Sequence, residues 1–290
     1  MPGPAIVVPR FGFARTTRAA APRKLLRASD GDTPVIEQPI RMLSCDTPEK
    51  SGYAGGPVAA QLRLDRCRER LAGDFYASLL PKELRRYLLA RLGPEAAAQH
   101  IAAGQMASAA FDALLERRLT RDDGSRRALA IVPAGQLIDS YGRLLAYFAP
   151  YFVPDELPPR GDPRRRTFNL DMVAQGYAAC FPIYPSLPSN TDWALLIEEA
   201  ERAWLRKRGV WDAYGRRLLL GYEYRACIKL AEVESGADGA RAAFQRSCVD
   251  LRTMADVGPF GFWDVPPPYR LWYWLTDTRQ ARVDLGLAAP

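Results

Sequence analysis

The sequence predicts an α+β protein, a small sheet or barrel with helices packed on it, and three observations carry the prediction. Short apolar runs bounded by Gly, Pro or Asp occur at residues 24–28, 35–44, 128–132 and 144–148, the pattern of strands. Between the second and third of these runs the apolar residues change to helical spacing, and helical patterns return toward the C-terminus. A chain of 290 residues with 48% hydrophobic content can bury a core without disulfide or metal staples.

Taken in order, the strand at 24–28 enters the turn Asp30-Gly31-Asp32-Thr33 and residues 35–44 return from it. The two segments form a hairpin-like unit expected to bring Asp32 beside Asp46. The returning strand delivers Asp46, Thr47 and Glu49 together at its end, and carboxylates clustered at a strand end can hold a hard cation. Helices follow at 57–76, 81–92 and 94–119, opened by Pro57, Pro81 and Pro94, with Gly93 as a stop. In the third, Ile101, Met106, Phe111, Leu114 and Leu115 form an apolar stripe read as core packing.

The next two strands flank the turn Asp139-Ser140-Tyr141-Gly142, which places Arg143 at the start of the second. Two Asp, a Glu and the arginines Arg41 and Arg143 together make a phosphodiester site. Residues 150–167 form a Pro/Arg-rich loop with Arg160, Arg164, Arg165 and Arg166, most simply a solvated excursion. A short helix at 169–177 precedes an amphipathic helix capped by Asn190 or Thr191 and stopped by Gly209. Beyond residue 213, two helices are expected at 214–233 and 238–254. An aromatic stretch containing Phe260, Trp263 and Trp272 then packs the tail onto its neighbour.

The formal charge of +7 is concentrated at the start of the chain. Residues 1–29 carry six Lys or Arg and no acid, whereas residues 212–290 carry ten basic and ten acidic residues. Residues 1–23, with Pro2, Pro4, Pro9 and Pro22, are expected as a flexible basic tail, able to add a salt-sensitive term to DNA or RNA binding. Cys45, Cys67, Cys180, Cys227 and Cys248 are an odd number without C-x-x-C spacing, which argues against a disulfide framework and a zinc site and points to free thiols in a reducing compartment. No apolar run approaches the ~20 residues of a spanning helix, and no apolar segment precedes a cleavage site, so a cytoplasmic protein without a membrane partner is expected. His100, the only histidine, lies in an Ala-rich helix without a nucleophile motif and is read as a packing or surface residue. Gly52, Gly55 and Gly56 lack the Lys-Ser/Thr of a P-loop.

In order and content the segments Asp30 to Thr33, Arg41 to Glu49, Gly93 to Ala96, Asp139 to Tyr147, Asn169 to Ala178 and Glu198 to Trp211 resemble staphylococcal nuclease-like proteins (thermonucleases). The resemblance covers roughly residues 24–212. A helical insertion at about 50–92 stands where the family has a short mobile loop, and residues 213–290 are an additional extension. It implies an OB-type five-stranded β-barrel with packed helices and a Ca²⁺-dependent nuclease, another divalent cation being possible, that acts on DNA or RNA. Position by position, Asp32 and Asp46 match the calcium carboxylates, and Thr47 matches the residue offering its main-chain carbonyl. Glu49 matches the proposed general base, Arg41 and Arg143 the phosphate-binding arginines, and Tyr141 a tyrosine lining the nucleotide pocket. The second pocket tyrosine has no match, since Pro182 falls at its position.

The chemistry is coherent: Ca²⁺ takes about six to eight oxygens, a carboxylate can orient or deprotonate water, and guanidinium forks match phosphate oxygens. Each residue also has a plainer reading, with Asp30 and Asp32 forming an Asx turn, Glu49 capping a helix and Arg143 pairing with a surface carboxylate. The rival function is a non-catalytic or autoinhibited nucleic-acid- or protein-binding module on the same fold, with a protein partner reached through the extension.

Overall fold

The computed structural model describes residues 22–51 and 53–287. Apart from Pro22 and Arg23, the expected basic tail lies outside the described residues. The chain begins with a hairpin of β1 (Leu25–Ala28) and β2 (Pro34–Ile36), then β3 (Ile40–Met42) and β4 (Ser44–Asp46). Three helices follow: α1 (Pro57–Ala72), α2 (Lys82–Leu89) and α3 (Ala96–Leu119). Next come β5 (Leu129–Ile138), β6 (Leu144–Pro150), α4 (Phe168–Ala174), β7 (Ala179–Phe181), β8 (Ile183–Tyr184), α5 (Asn190–Leu205) and α6 (Val210–Tyr214). The extension contains α7 (Gly221–Glu232), α8 (Gly236–Ala243), β9 (Arg246–Asp250), β10 (Ala255–Gly258), β11 (Arg270–Trp274) and α9 (Thr278–Asp284).

The strands divide among four sheets, β1-β2, β3-β6-β5, β4-β7 and β10-β9-β11-β8, and among the described residues none closes on itself. The expected OB-type five-stranded barrel is therefore corrected to an open, mixed α+β arrangement. Its physical cause lies in residues 35–44, read from sequence as one strand. Pro39 has no N–H to give a ladder, and Ser44 adopts φ +57°, so the segment turns twice. As a result β3 pairs in parallel with β6 while β4 leaves that sheet to pair antiparallel with β7. A ribbon that changes partners this often cannot carry one continuous ladder around a barrel.

The extension also differs from expectation. Residues 246–250, read as the second half of a helix, form β9, which pairs antiparallel with β11 over five positions. In turn β11 pairs in parallel with β8, so the extension continues into the sheet of the preceding segment. Ser189 caps α5 by accepting from the Asp192 N–H.

The inserted helices and the extension share one core. Leu64, Cys67 and Leu71 of α1, Leu84 and Leu88 of α2, and Cys227 and Leu230 of α7 are fully buried within it. Spaced four and three apart, the α1 residues Ala60, Leu64, Cys67 and Leu71 make one buried stripe. At its edge Arg63 pairs with Glu232 at 2.7 Å, and Arg70 donates to the carbonyls of Leu230 and Val233. This lobe holds α7 against the strand end at Asp46. All five cysteines are buried and unbridged, and no helix among the described residues is long and apolar enough to cross a membrane.

The other wall beside this strand end is α3, which comes close because its facing residues are small. A Cβ on Gly104 would lie 2.5 Å from the backbone carbon of Glu49. Gly104→Ala is expected to lower stability despite its better helix propensity, since overpacking costs about 1–3 kcal/mol against a gain of about 1 kcal/mol. A lower melting temperature is the expected readout; a rise would mean that α3 does not rest on residue 49.

Candidate functional site

At the end of β4 the Asp46 carboxylate is buried, with its side chain 1% exposed, between two guanidinium groups. Arg41 Nη2 donates to Asp46 Oδ1 at 2.8 Å. Arg225, on α7, donates from Nη2 to both carboxylate oxygens of Asp46 at 3.0 and 2.9 Å, and from Nη1 to Glu49 Oε1 at 2.7 Å. One guanidinium thus bridges the two carboxylates, and Arg41 and Arg225 balance Asp46 and Glu49 in charge. Burial pushes the Asp46 carboxyl up, but Arg225 and Arg41 outweigh it and hold the group below the usual carboxylate range. Burial alone would lower the Arg225 pKa; Asp46 and Glu49 reverse that and raise it.

This approach depends on Gly221, one helical turn before Arg225 and so on the same face of α7. A Cβ there would sit 2.6 Å from both Asp46 Oδ2 and the Thr47 carbonyl oxygen. The N-terminal turn of α7 therefore rests directly on the two groups that the resemblance assigns to calcium.

Glu49 is also fixed through its backbone. Its N–H donates to His100 Nε2 at 2.9 Å, which leaves His100 Nδ1 to donate to the Leu219 carbonyl at 2.9 Å. The imidazole is fully buried and stacks on Tyr224 at a centroid separation of 3.9 Å, 8° from parallel. Burial depresses its pKa to about 4, so the ring is neutral with one nitrogen accepting and the other donating. His100 thereby joins the Glu49 strand end, α3 and the entry to α7.

The other residues singled out from sequence lie outside this network. Arg143 donates through Nε to Asp139 Oδ2 at 2.8 Å, and its guanidinium lies 5.2 Å from the ring of Tyr141, which is 75% exposed. Arg23 reaches the same turn by donating to the Gly142 carbonyl. Asp32 stays in the exposed β1–β2 turn, where it accepts from Thr33 Oγ1 and its N–H faces Asp30. Arg41, Asp46 and Glu49 are thus brought together, Tyr141 and Arg143 form a second, exposed pair, and Asp32 hydrogen-bonds with neither group.

Among the described residues no group of three or more His, Cys, Asp or Glu side chains could hold a metal ion. Both oxygens of Asp46 already accept from arginine, the Thr47 carbonyl faces Gly221, and Asp32 is on another hairpin. In this arrangement the residues do not fit a calcium ion.

Reading the sequence missed Arg225 and the role of His100. A signal for the first existed: Gly221 and Arg225 share a face in a segment otherwise rich in buried apolar residues, the pattern of a close helix contact that carries a charge inward. The stretch 93–213 matches the model of a family described as Staphylococcal nuclease homologue. The matched stretch contains Tyr141 and Arg143; Arg41, Asp46 and Glu49 precede it and Arg225 lies beyond it. A search of curated proteins finds no match.

Proposed function

Starting from the staphylococcal nuclease homologue domain at residues 93–213, we propose that this protein is a nucleic-acid-binding module that is non-catalytic in the conformation described. The observation that carries the reading is the Arg225 bridge between Asp46 and Glu49. A cation supplied by the chain itself stands between the carboxylates that would otherwise meet a metal ion and a water. One oxygen of the Glu49 carboxylate is engaged by that guanidinium, whose positive charge weakens it as a base toward water. Binding is supported by the neighbouring surface, where exposed Tyr141 offers a ring for stacking and Arg143, Lys50 and Arg41 are partly or fully open to solvent.

A second reading rests on a specific observation: Arg41, Asp46 and Glu49 remain within one hydrogen-bonded network. Displacement of α7 would release them together, so the module is a latent Ca²⁺-dependent nuclease under this reading. One experiment separates the two. Single-stranded DNA, duplex DNA and RNA are incubated with wild type, Arg225→Ala and Glu49→Gln in Ca²⁺, Mg²⁺ or chelator, and both binding and cleavage are measured. The expected result is binding without cleavage by wild type. Cleavage by Arg225→Ala alone would establish the latent nuclease. Ca²⁺-dependent cleavage by wild type, lost in Glu49→Gln, would overturn the non-catalytic reading.

A further inference from the structure

On the side of α7 away from Arg225, a cavity of about 150 Å³ opens between the end of α5, the C-terminal part of α2 and the segment before β11. Glu223 faces it and lies two residues before Arg225, about 200° around the helix. Trp204, from the family-matched stretch, and Trp263, from the extension, both line the cavity and are half-buried. The floor is built from buried charge: Arg270 donates to Glu223 Oε1 at 3.0 Å, with side chains 3% and 0% exposed, and Tyr87 Oη donates to the same oxygen at 2.6 Å.

Of the arginines in this lining, only Arg216 has no carboxylate partner among the described residues. Arg91 is already engaged: it ion-pairs with Glu223 at 3.8 Å, stacks its guanidinium 3.5 Å from the Tyr87 ring and donates from Nη1 to the Tyr87 carbonyl. Arg216, exposed at the rim, lies 4.9 Å from the Trp204 ring; among the described residues it forms no ion pair and donates only to the Trp204 and Leu205 carbonyls. Three guanidiniums face two carboxylates across the cavity, Arg91, Arg216 and Arg270 against Glu223 and Asp264. An unpaired guanidinium at the rim asks for an anion, and indole rings at the wall ask for a flat partner. A volume of this order holds a ring the size of benzene, which admits one heterocycle and excludes a base pair.

We propose that this cavity takes one unpaired nucleobase together with its phosphate. The base packs against the indoles of Trp204 and Trp263, and the phosphate meets Arg216 at the rim. The inference deepens the nucleic-acid-binding reading and rests on it for the source of the nucleotide, which is either a single strand or a free mononucleotide. Because residues of the matched stretch and of the extension both line the cavity, it gives the extension a part in binding that Tyr141 and Arg143, which are not in its lining, do not supply.

The test uses the full chain and follows tryptophan fluorescence during titration with a single-stranded oligonucleotide, a duplex of the same sequence, and nucleoside monophosphates. It is run on wild type, Trp263→Leu, Arg216→Gln and Tyr141→Ala. Stacking on one aromatic side chain changes affinity by about 5- to 150-fold. Trp263→Leu is expected to weaken single-strand binding within that range, and Arg216→Gln, an exposed position that leaves the core intact, by about 5-fold or more, with duplex bound more weakly than single strand. Oligonucleotide binding that both variants retain at wild-type strength, while Tyr141→Ala loses it, would overturn the cavity and leave the binding reading standing. If no oligonucleotide binds but a monophosphate quenches wild type and not Arg216→Gln, the cavity is supported with a free nucleotide as ligand and the nucleic-acid reading falls. Absence of both signals would overturn both.

Discussion

Arg225→Ala is expected to lower the free energy of unfolding by about 3 kcal/mol, the lower end of the cost of removing one member of a buried ion pair. The loss arises because Asp46, with its side chain 1% exposed, would keep only Arg41 as a cationic partner, and Glu49 would keep none. The lower end applies because Arg41 remains at 2.8 Å. Arg225→Lys should fall between wild type and Ala, since a single ammonium cannot present parallel N–H groups to Asp46 while also reaching Glu49. Denaturant unfolding measures all three. A double variant, Asp46→Asn with Arg225→Met, should cost less than the sum of the single changes, because removing both charges leaves no uncompensated ion in the interior. Wild-type stability in Arg225→Ala would mean that the bridge does not form in solution, and with it the case for a self-occupied site would be lost.

The second large effect is a pH dependence set by His100. Its folded-state pKa is depressed from 6.5 to about 4, chiefly by burial. The fold therefore holds the neutral ring, and the unfolded chain binds the proton more readily. The unfolded state carries more protons between these values, so stability rises with pH across that interval. The contribution is fully present above about pH 6.5 and is lost as pH falls toward 4, amounting to about 3 kcal/mol. Protonating Nε2 would also convert the acceptor of the Glu49 N–H into a second donor facing it. Urea midpoints between pH 4 and 7.5 should show this slope in wild type. His100→Gln, whose amide can both accept and donate, should flatten it. A slope unchanged in His100→Gln would assign it to another group. Asp46 is separable: its depressed pKa stabilises the fold above the ordinary carboxylate value of 3.8 and loses effect only below it.

The first prediction centres on Asp46, Glu49 and Arg225, which lie outside the matched stretch, and the second on His100, which lies inside it and holds the Glu49 N–H. The inserted helices hold α7 in place through Leu64, Cys67 and Leu71, and α7 brings Arg225 to the strand end. Insertion and extension, which are far apart in the chain, act there as one body. The Pro/Arg-rich loop reads in sequence as a solvated excursion, yet much of its charge is engaged: Arg166 pairs with Glu199 at 3.0 Å, Arg164 with Asp162 at 2.7 Å, and Arg165 donates to the Pro158 carbonyl. These contacts reduce its capacity to serve as a phosphate-binding surface.

What the sequence by itself determined is local. Proline at the first position of α1, the apolar stripe of Ala60, Leu64, Cys67 and Leu71, and the Asp139-to-Gly142 turn leading into β6 arise from backbone sterics and helical or strand spacing, which act over a few residues. Four of the six ordered segments that carry the resemblance fall within the matched stretch 93–213, and those from Asp30 to Thr33 and from Arg41 to Glu49 precede it. Tertiary structure decided whether the strands close, because closure depends on which partner each strand finds, and Pro39 with the left-handed Ser44 sends β3 and β4 to different sheets. It also decided what occupies the site. Asp46 and Arg225 are 179 residues apart, and the shared face of Gly221 and Arg225 marks a close contact without specifying that the Thr47 carbonyl is its partner. A buried carboxylate takes whichever cation the fold brings within a few ångströms, and that choice is made by packing between distant helices.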